Sequence, residues 1–300
     1  MSPEAPVDDG NHEPEASLEE LVPAARSGRR PALEEPVRRV QDDVYDLAVK
    51  MLWHPEDAED ATQEILIRLI THLGSFRGEA SFRSWVYRVA SNYLLTTRER
   101  RAERAGLTFE AFGEELDRGL ADGLPPEETE VERHLLVEEV KIGCSQGMLL
   151  CLDREHRLAY VLGEILQRDS FTGAEVLDIT PEAFRKRLSR ARRRLHGFLR
   201  RKCGLVDADN ACRCHRRVDY AIKAGRVDPN RLLFAGPGRR REGDASPAVR
   251  CREAVEALRV EADVLRTNPR YESPTDFADA LGALLDELRF APLTDPPASA

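Results

Sequence analysis

The run Phe184–Lys202, FRKRLSRARRRLHGFLRRK, carries ten Arg or Lys and no acid in nineteen residues, and its apolar residues leave the backbone one choice. Phe184, Leu188, Ala191, Leu195 and the pair Phe198/Leu199 recur at intervals of three and four, so a 3.6-residue period gathers them on one stripe and spreads the cations over the other faces. Thr180 suits the N-cap, Pro181 the first helical position, and Glu182 complements the positive end of the helix dipole. Upstream, SFTGAEVLD gives a short helix containing Ala174, Val176 and Leu177, closed by a tight connection at Asp178-Ile179. Short helix, tight turn and long basic helix make a helix-turn-helix plan, in which the start of the second helix enters the major groove.

The whole chain has a formal charge of −9, which becomes −19 once those ten cations are set aside. An acidic protein with one basic element attracts phosphate locally and resists indiscriminate adhesion to nucleic acid. Position along the helix divides the work. Glu182, Arg185, Lys186 and Ser189 lie near its start, within reach of base edges. Arg192, Arg193, Arg200, Arg201 and Lys202 lie further along, toward phosphates, and Arg187 and Arg190 suit either purpose.

The rest of the chain divides by composition. Residues 1–33 are rich in Pro, Glu and Ala and read as a disordered acidic tail. Residues 34–104 keep a helical apolar period, 105–142 are acidic, interrupted by Pro-Pro and read as a linker, and 143–202 resume the helical pattern. Residues 203–300 form an extension with Cys203, Cys212, Cys214 and His215 at its start and two helical candidates, about 247–267 and 274–290, beyond a Pro, Gly and Arg-rich gap. No segment sustains strand alternation, so the expected class is all-α: two small helical domains, a linker and a helical extension. No apolar run approaches the roughly 18–20 residues that cross a bilayer, and the N-terminus lacks the regions of a signal peptide, which points to the cytoplasm and away from a membrane.

A second constellation lies in HPEDAEDATQEILIRLITHLGSFRGEASFRSWVYRVASN. Its first helix turns Ala58, Ala61, Ile65, Leu69 and Leu73 inward. Asp57, Asp60, Gln63 and Glu64 collect opposite with an exposed Ile67, a surface suited to a cationic and apolar protein partner. The loop GSFRGEASFRSW follows, with Phe76 and Phe82 bracketing it. The next helix buries Phe82, Val86, Val89, Ala90 and Tyr93 by period, with Trp85 read as core. Small residues beside aromatic and basic side chains are what capture of an unstacked base requires.

DAEDATQE, then SFRGEASFRSWVYRVASN, then the distant FRKRLSRARRRL resemble, in order and separation, the motif regions of a bacterial RNA polymerase sigma factor of the extracytoplasmic-function type. The resemblance covers region 2 at 34–104 and region 4 at 143–202. It implies that Asp57, Asp60, Gln63, Glu64 and Ile67 dock on the clamp helices of the polymerase β′ subunit. Phe76, Arg77, Ser81, Arg83, Arg88 and Asn92 would melt and read the −10 promoter element. Arg185, Lys186, Ser189 and Arg190 would read the −35 element, flanked by Glu182, Arg187, Arg192 and Arg193, while the apolar back of that domain meets the β flap. Core RNA polymerase and promoter DNA are the implied partners, and an anti-sigma protein is a further one. Two positions depart from the pattern: Asp178 stands where Gly is usual in the turn, and Gly173 replaces an apolar residue in the first helix.

The resulting expectation is a dissociable initiation subunit with no catalytic centre. The alternative is a helix-turn-helix regulator that is not a polymerase subunit, against which the acidic face argues. An enzyme is disfavoured because no Walker A, H-E-x-x-H, G-x-S-x-G or dinucleotide fingerprint occurs. No cofactor is required for this role. Cys203, Cys212, Cys214 and His215 offer three thiolates and an imidazole to zinc or another thiophilic metal, or act as reduced or redox-sensing thiols. Cys144 and Cys151 read as core residues.

Overall fold

The computed structural model describes residues 17–26, 30–97, 106–120, 130–236, 260–266 and 268–280. Its elements in chain order are α1 (Leu18–Arg26), α2 (Arg30–Leu52), α3 (Pro55–Thr71), a 3-10 turn (Leu73–Ser75) and α4 (Phe82–Thr96). Then come α5 (Phe109–Arg118), α6 (Glu130–Leu150), α7 (Arg154–Tyr160), a π-turn (Val161–Ile165), α8 (Ser170–Leu177) and α9 (Pro181–Lys202). A 3-10 turn (Cys214–Arg217), α10 (Val218–Lys223) and α11 (Val260–Arg266) complete the set. The fold is all-helical, with no strand among the described residues and one isolated bridge between Cys203 and Cys212.

The first lobe packs α2, α3 and α4 on one another. Pro55 opens α3 at its first position, Glu56 and Asp57 occupy the first turn, and the inward face carries Ala58, Ala61, Ile65 and Leu69 as its period predicts. Ser81 caps α4 by accepting from the Ser84 amide at 3.1 Å. Of the residues expected inside α4, Phe82, Val86 and Ala90 are buried, whereas Val89 and Tyr93 are half-buried and Tyr87 and Leu94 take the core positions.

In the second lobe the reading of α9 holds at every apolar position: Phe184, Leu188, Ala191, Leu195, Phe198 and Leu199 are all buried. Thr180 accepts from the Ala183 amide at 3.1 Å. Asp178 closes α8 in the left-handed region at φ 52°, a conformation that a short polar side chain tolerates. Gly173 is explained by packing, because a Cβ there would stand 2.3 Å from Cζ of Phe184, a fully buried ring of the stripe.

Three segments differ from expectation. Residues 18–26, read as disordered, form α1, since Leu18 and Val22 lie four apart and bury against α2. The acidic linker holds α5, capped by Thr108 and buried through Phe109, Phe112 and Leu116, with Phe109 and Phe112 at 5.2 and 5.9 Å from the Phe198 ring. Acidity disguised this segment, because most of its charges face solvent while Glu115 turns in to pair with Arg217 and Arg226. Of the two late helical candidates, the described parts are α11 and residues 274–280, helical from 277; the remainder, with Cys251, lies outside the described residues.

The lobes are joined through buried polar groups. Arg157, 3% exposed, donates to the carbonyls of Leu149 at 3.1 Å and Leu152 at 3.0 Å and to that of Met51, tying the end of α2 to the α6–α7 turn. On these contacts, Gly173→Val should destabilise the protein by about 1–3 kcal/mol through overpacking. Thr180→Ala should cost about 1 kcal/mol through loss of the cap. Urea unfolding of each variant measures both.

Candidate nucleic-acid interface

The three expected surfaces lie on three separate elements. On α3, Asp60, Gln63 and Glu64 are exposed and Asp57 is half-buried. Ile67 is half-buried and packs against the core, so it is less available than its place on the wheel predicts.

The loop after α3 is built around an aromatic cluster. Phe76 is buried, 5.4 Å from Phe82 edge to face and 5.7 Å from Trp85. Its ring therefore supports the loop and is not presented to solvent, while Arg77 and Ser81 are exposed. Gly78, at φ 75°, allows the reversal that places them there. An open cleft of about 400 Å³ runs between this loop and Trp85, Arg88 and Glu175. Arg83 is exposed and pairs with Asp43 at 2.5 Å, Asn92 is exposed, and Arg88 donates through Nε to the Glu175 carbonyl at 3.1 Å. Glu175 belongs to α8, so the second lobe walls the cleft of the first, a relation that no local motif could announce.

On α9 the cations divide by partner. Arg185, Lys186, Ser189, Arg190 and Arg193 are exposed. Lys186 pairs with Glu182 one turn back at 2.7 Å, and Arg185 donates to Ser170 Oγ at 3.3 Å. Arg187 is half-buried and meets Glu155 at 3.1 Å, and Lys202 meets Asp117 at 2.5 Å. Arg192 differs from its expected role at phosphates, because Glu164, 2% exposed, receives its Nε at 2.6 Å and draws the guanidinium onto the π-turn. Outward cations therefore run the length of the helix: Arg185, Lys186 and Arg190 in its first half, the end that a major groove admits, and Arg193, Arg194, Arg200 and Arg201 in its second.

The cysteines regroup. Cys203, Cys212 and Cys214 line one cavity of about 230 Å³ together with Cys144 from α6. His215 is exposed and does not line it. Cys151 behaves as the expected core thiol, its Sγ donating to the Gly147 carbonyl at 3.4 Å, with burial pushing it up to about 12. Among the described residues no three His, Cys, Asp or Glu side chains are drawn together as ligands of one ion. No described helix is long and apolar enough to cross a membrane.

Comparison with known proteins bears on these surfaces. Residues 36–104 match the family described as Sigma-70 region 2. The RNA polymerase sigma-H factor of Pseudomonas aeruginosa is 30% identical over 178 residues, covering 58% of this chain and 89% of that protein. The ECF RNA polymerase sigma factor SigW of Bacillus subtilis is 27% identical over 190 residues, covering 62% of this chain and 98% of that protein. A solved structure of CnrH in complex with the cytosolic domain of CnrY is 24% identical, with a TM-score of 0.39, covering 60% of this chain and 94% of that one.

If Arg185 reads a base edge, Arg185→Ala should relax sequence preference at one base pair by about 1–3 kcal/mol. Competition binding with single-base variants of the target distinguishes this from the uniform loss that a phosphate contact gives.

Proposed function

From the premise that this chain belongs to the extracytoplasmic-function sigma factors of the sigma-70 family, a non-catalytic family that binds core RNA polymerase and directs promoter recognition, we propose that the described form is its latent state, locked by its own extension. In this reading residues 34–104 act as region 2 and 143–202 as region 4. The acidic face of α3, through Asp57, Asp60, Gln63 and Glu64, takes the clamp helices of β′. The loop with Arg77 and Ser81, then Arg83, Arg88 and Asn92, takes the −10 element. The exposed start of α9 takes the −35 element, and the apolar back of its domain takes the β flap.

The observation that carries latency is the bond from Arg88 to Glu175 across the cleft. Elements named −10 and −35 lie roughly 25 base pairs apart, about 85 Å along B-DNA at 3.4 Å per step. Helix α4, which would read one, packs directly on α8, which precedes the reader of the other. The two readers cannot serve both elements from this arrangement, so initiation requires the lobes to part. The chain between Thr97 and Glu130 reaches about 110 Å when extended, enough to span the gap once α5 releases Phe198.

The extension touches both lobes. Arg266 of α11 donates to the Glu164 carbonyl at 2.6 Å and to its Oε2 at 3.1 Å on the second lobe. Further on, the Tyr271 and Ser273 amides donate to Asp46 at 3.2 Å and Asp42 at 3.0 Å on α2. Leu265 and Tyr271 are 0% and 3% exposed, so the strap is packed as well as hydrogen-bonded. Arg231 also meets Glu56 at 2.8 Å, beside the acidic face of α3. The extension would thus do in cis what an anti-sigma protein does in trans.

Two measurements test this reading. Arg266→Ala combined with Tyr271→Ala should raise promoter binding and run-off transcription with core polymerase severalfold, and unchanged activity would refute latency. Charge reversal at Asp60 and Glu64 should weaken core-polymerase affinity by at least tenfold while sparing promoter DNA binding by the strap-released protein. Equal losses in both assays would remove the assignment of α3.

A further inference from the structure

Promoter recognition leaves the segment Cys203–Cys214 without a role, and its apolar residues Leu205 and Val206 pack only partly on the core. From Gly204 to Arg213 no residue is buried, yet the backbone is closely specified. The Cys203 carbonyl accepts from the amides of Val206 at 3.1 Å and Asp207 at 3.0 Å. Asn210 Nδ2 reaches the carbonyls of Arg200 at 2.9 Å and Cys203 at 3.2 Å, and Arg213 donates to those of Ala208 at 2.8 Å and Cys212 at 3.0 Å. The effect is to set two cysteines side by side. Cys203 and Cys212 form the isolated bridge, and the Gly204 amide donates to the Cys212 carbonyl at 3.0 Å. Glycine is required there, since a Cβ at 204 would lie 2.3 Å from that carbonyl.

Two more thiols face the same space. Cys214 begins the 3-10 turn, Cys144 comes from α6, and all four cysteines line one cavity. Burial pushes the Cys144 thiol well up, and Cys214, Cys203 and Cys212 push it further, with Arg217 opposing. Burial and Cys203 likewise raise Cys212, against Arg217 and Arg213. Four sulfurs on the wall of one cavity, with the Arg217 guanidinium beside them, are poor nucleophiles as thiols and a complete donor set as thiolates.

We propose that Cys144, Cys203, Cys212 and Cys214 are the ligands of a structural zinc ion that pins the end of α9 and the start of the extension to α6. The proposal goes beyond promoter reading and stands whether or not the lobes part. In the metal-free arrangement the four do not converge on one centre; the ion would draw their side chains together across the cavity they line, to Zn–S distances of about 2.3 Å. Each thiol loses its proton to solvent as its Zn–S bond forms, four protons for one Zn²⁺, leaving a centre of charge −2 that Arg213 and Arg217 offset. The imidazole of His215 takes no part, which changes the ligand set that sequence spacing offered.

The test uses the full-length protein expressed with zinc, dialysed, and assayed for metal by plasma mass spectrometry, with Co²⁺ exchanged in for spectroscopy. The expected result is close to one zinc per chain, and for the cobalt form the strong tetrahedral bands of four sulfur ligands. Cys144→Ser and Cys212→Ser should each lower zinc content at least fivefold, while His215→Ala and Cys151→Ser keep it. The cobalt spectrum of the unsubstituted protein counts sulfur ligands even if a Cys→Ser chain fails to fold. Absence of zinc, a spectrum with one nitrogen ligand, or a Cys203–Cys212 disulfide in the isolated protein would each overturn the proposal.

Discussion

The carboxylate of Glu164 is the point on which the arrangement of the second lobe turns. It is 2% exposed and sits in the π-turn, and it receives Arg192 from the long basic helix and Arg266 from the extension. A buried carboxylate facing two guanidiniums satisfies its own desolvation only while both remain, and loss of one partner from such a site costs about 3–5 kcal/mol. The π-turn holds this carboxylate where both guanidiniums reach it. One acid thereby fixes the recognition helix on one side and the strap on the other.

Charge is partitioned by the same logic over the whole chain. The cations of α9 that the fold employs, Arg187, Arg192 and Lys202, each meet an acid on another element. Those facing solvent are spread from Arg185 and Lys186 near the start to Arg200 and Arg201 at the end. The acid-free run is therefore two populations, one that orients the helix and one that the helix presents. Only the second is available to a polyanion, so the effective basic surface is smaller than the count of ten implies.

Periodicity made the helices legible, because a 3.6-residue repeat is a property of short windows: all six apolar positions of α9 and the inward face of α3 could be read directly. Capping was legible for the same reason at Thr180. The departures at Asp178 and Gly173 were visible as residues but not as solutions, since the clash with Phe184 depends on a partner eleven positions away. What escaped was set by contacts distant in sequence. Arg192 reads as a phosphate ligand until Glu164 claims it, and Cys144 as a core thiol until the chain returns with Cys203, Cys212 and Cys214. Helix α5 was hidden because acidic composition was weighed above its own apolar spacing.

The strap also imposes an order in time. Tyr271 bonds to Asp46 across 225 residues of sequence, so on a ribosome the α2 side of that contact emerges long before its partner exists. At about 5–20 residues per second the interval is roughly 10–45 s. In the last part of that interval, after Lys202 is made and before Tyr271 is, both lobes can fold and pack while the strap is still absent. Synthesis itself supplies a transient population of untied protein, whose size follows the rate of translation and not the amount of finished protein.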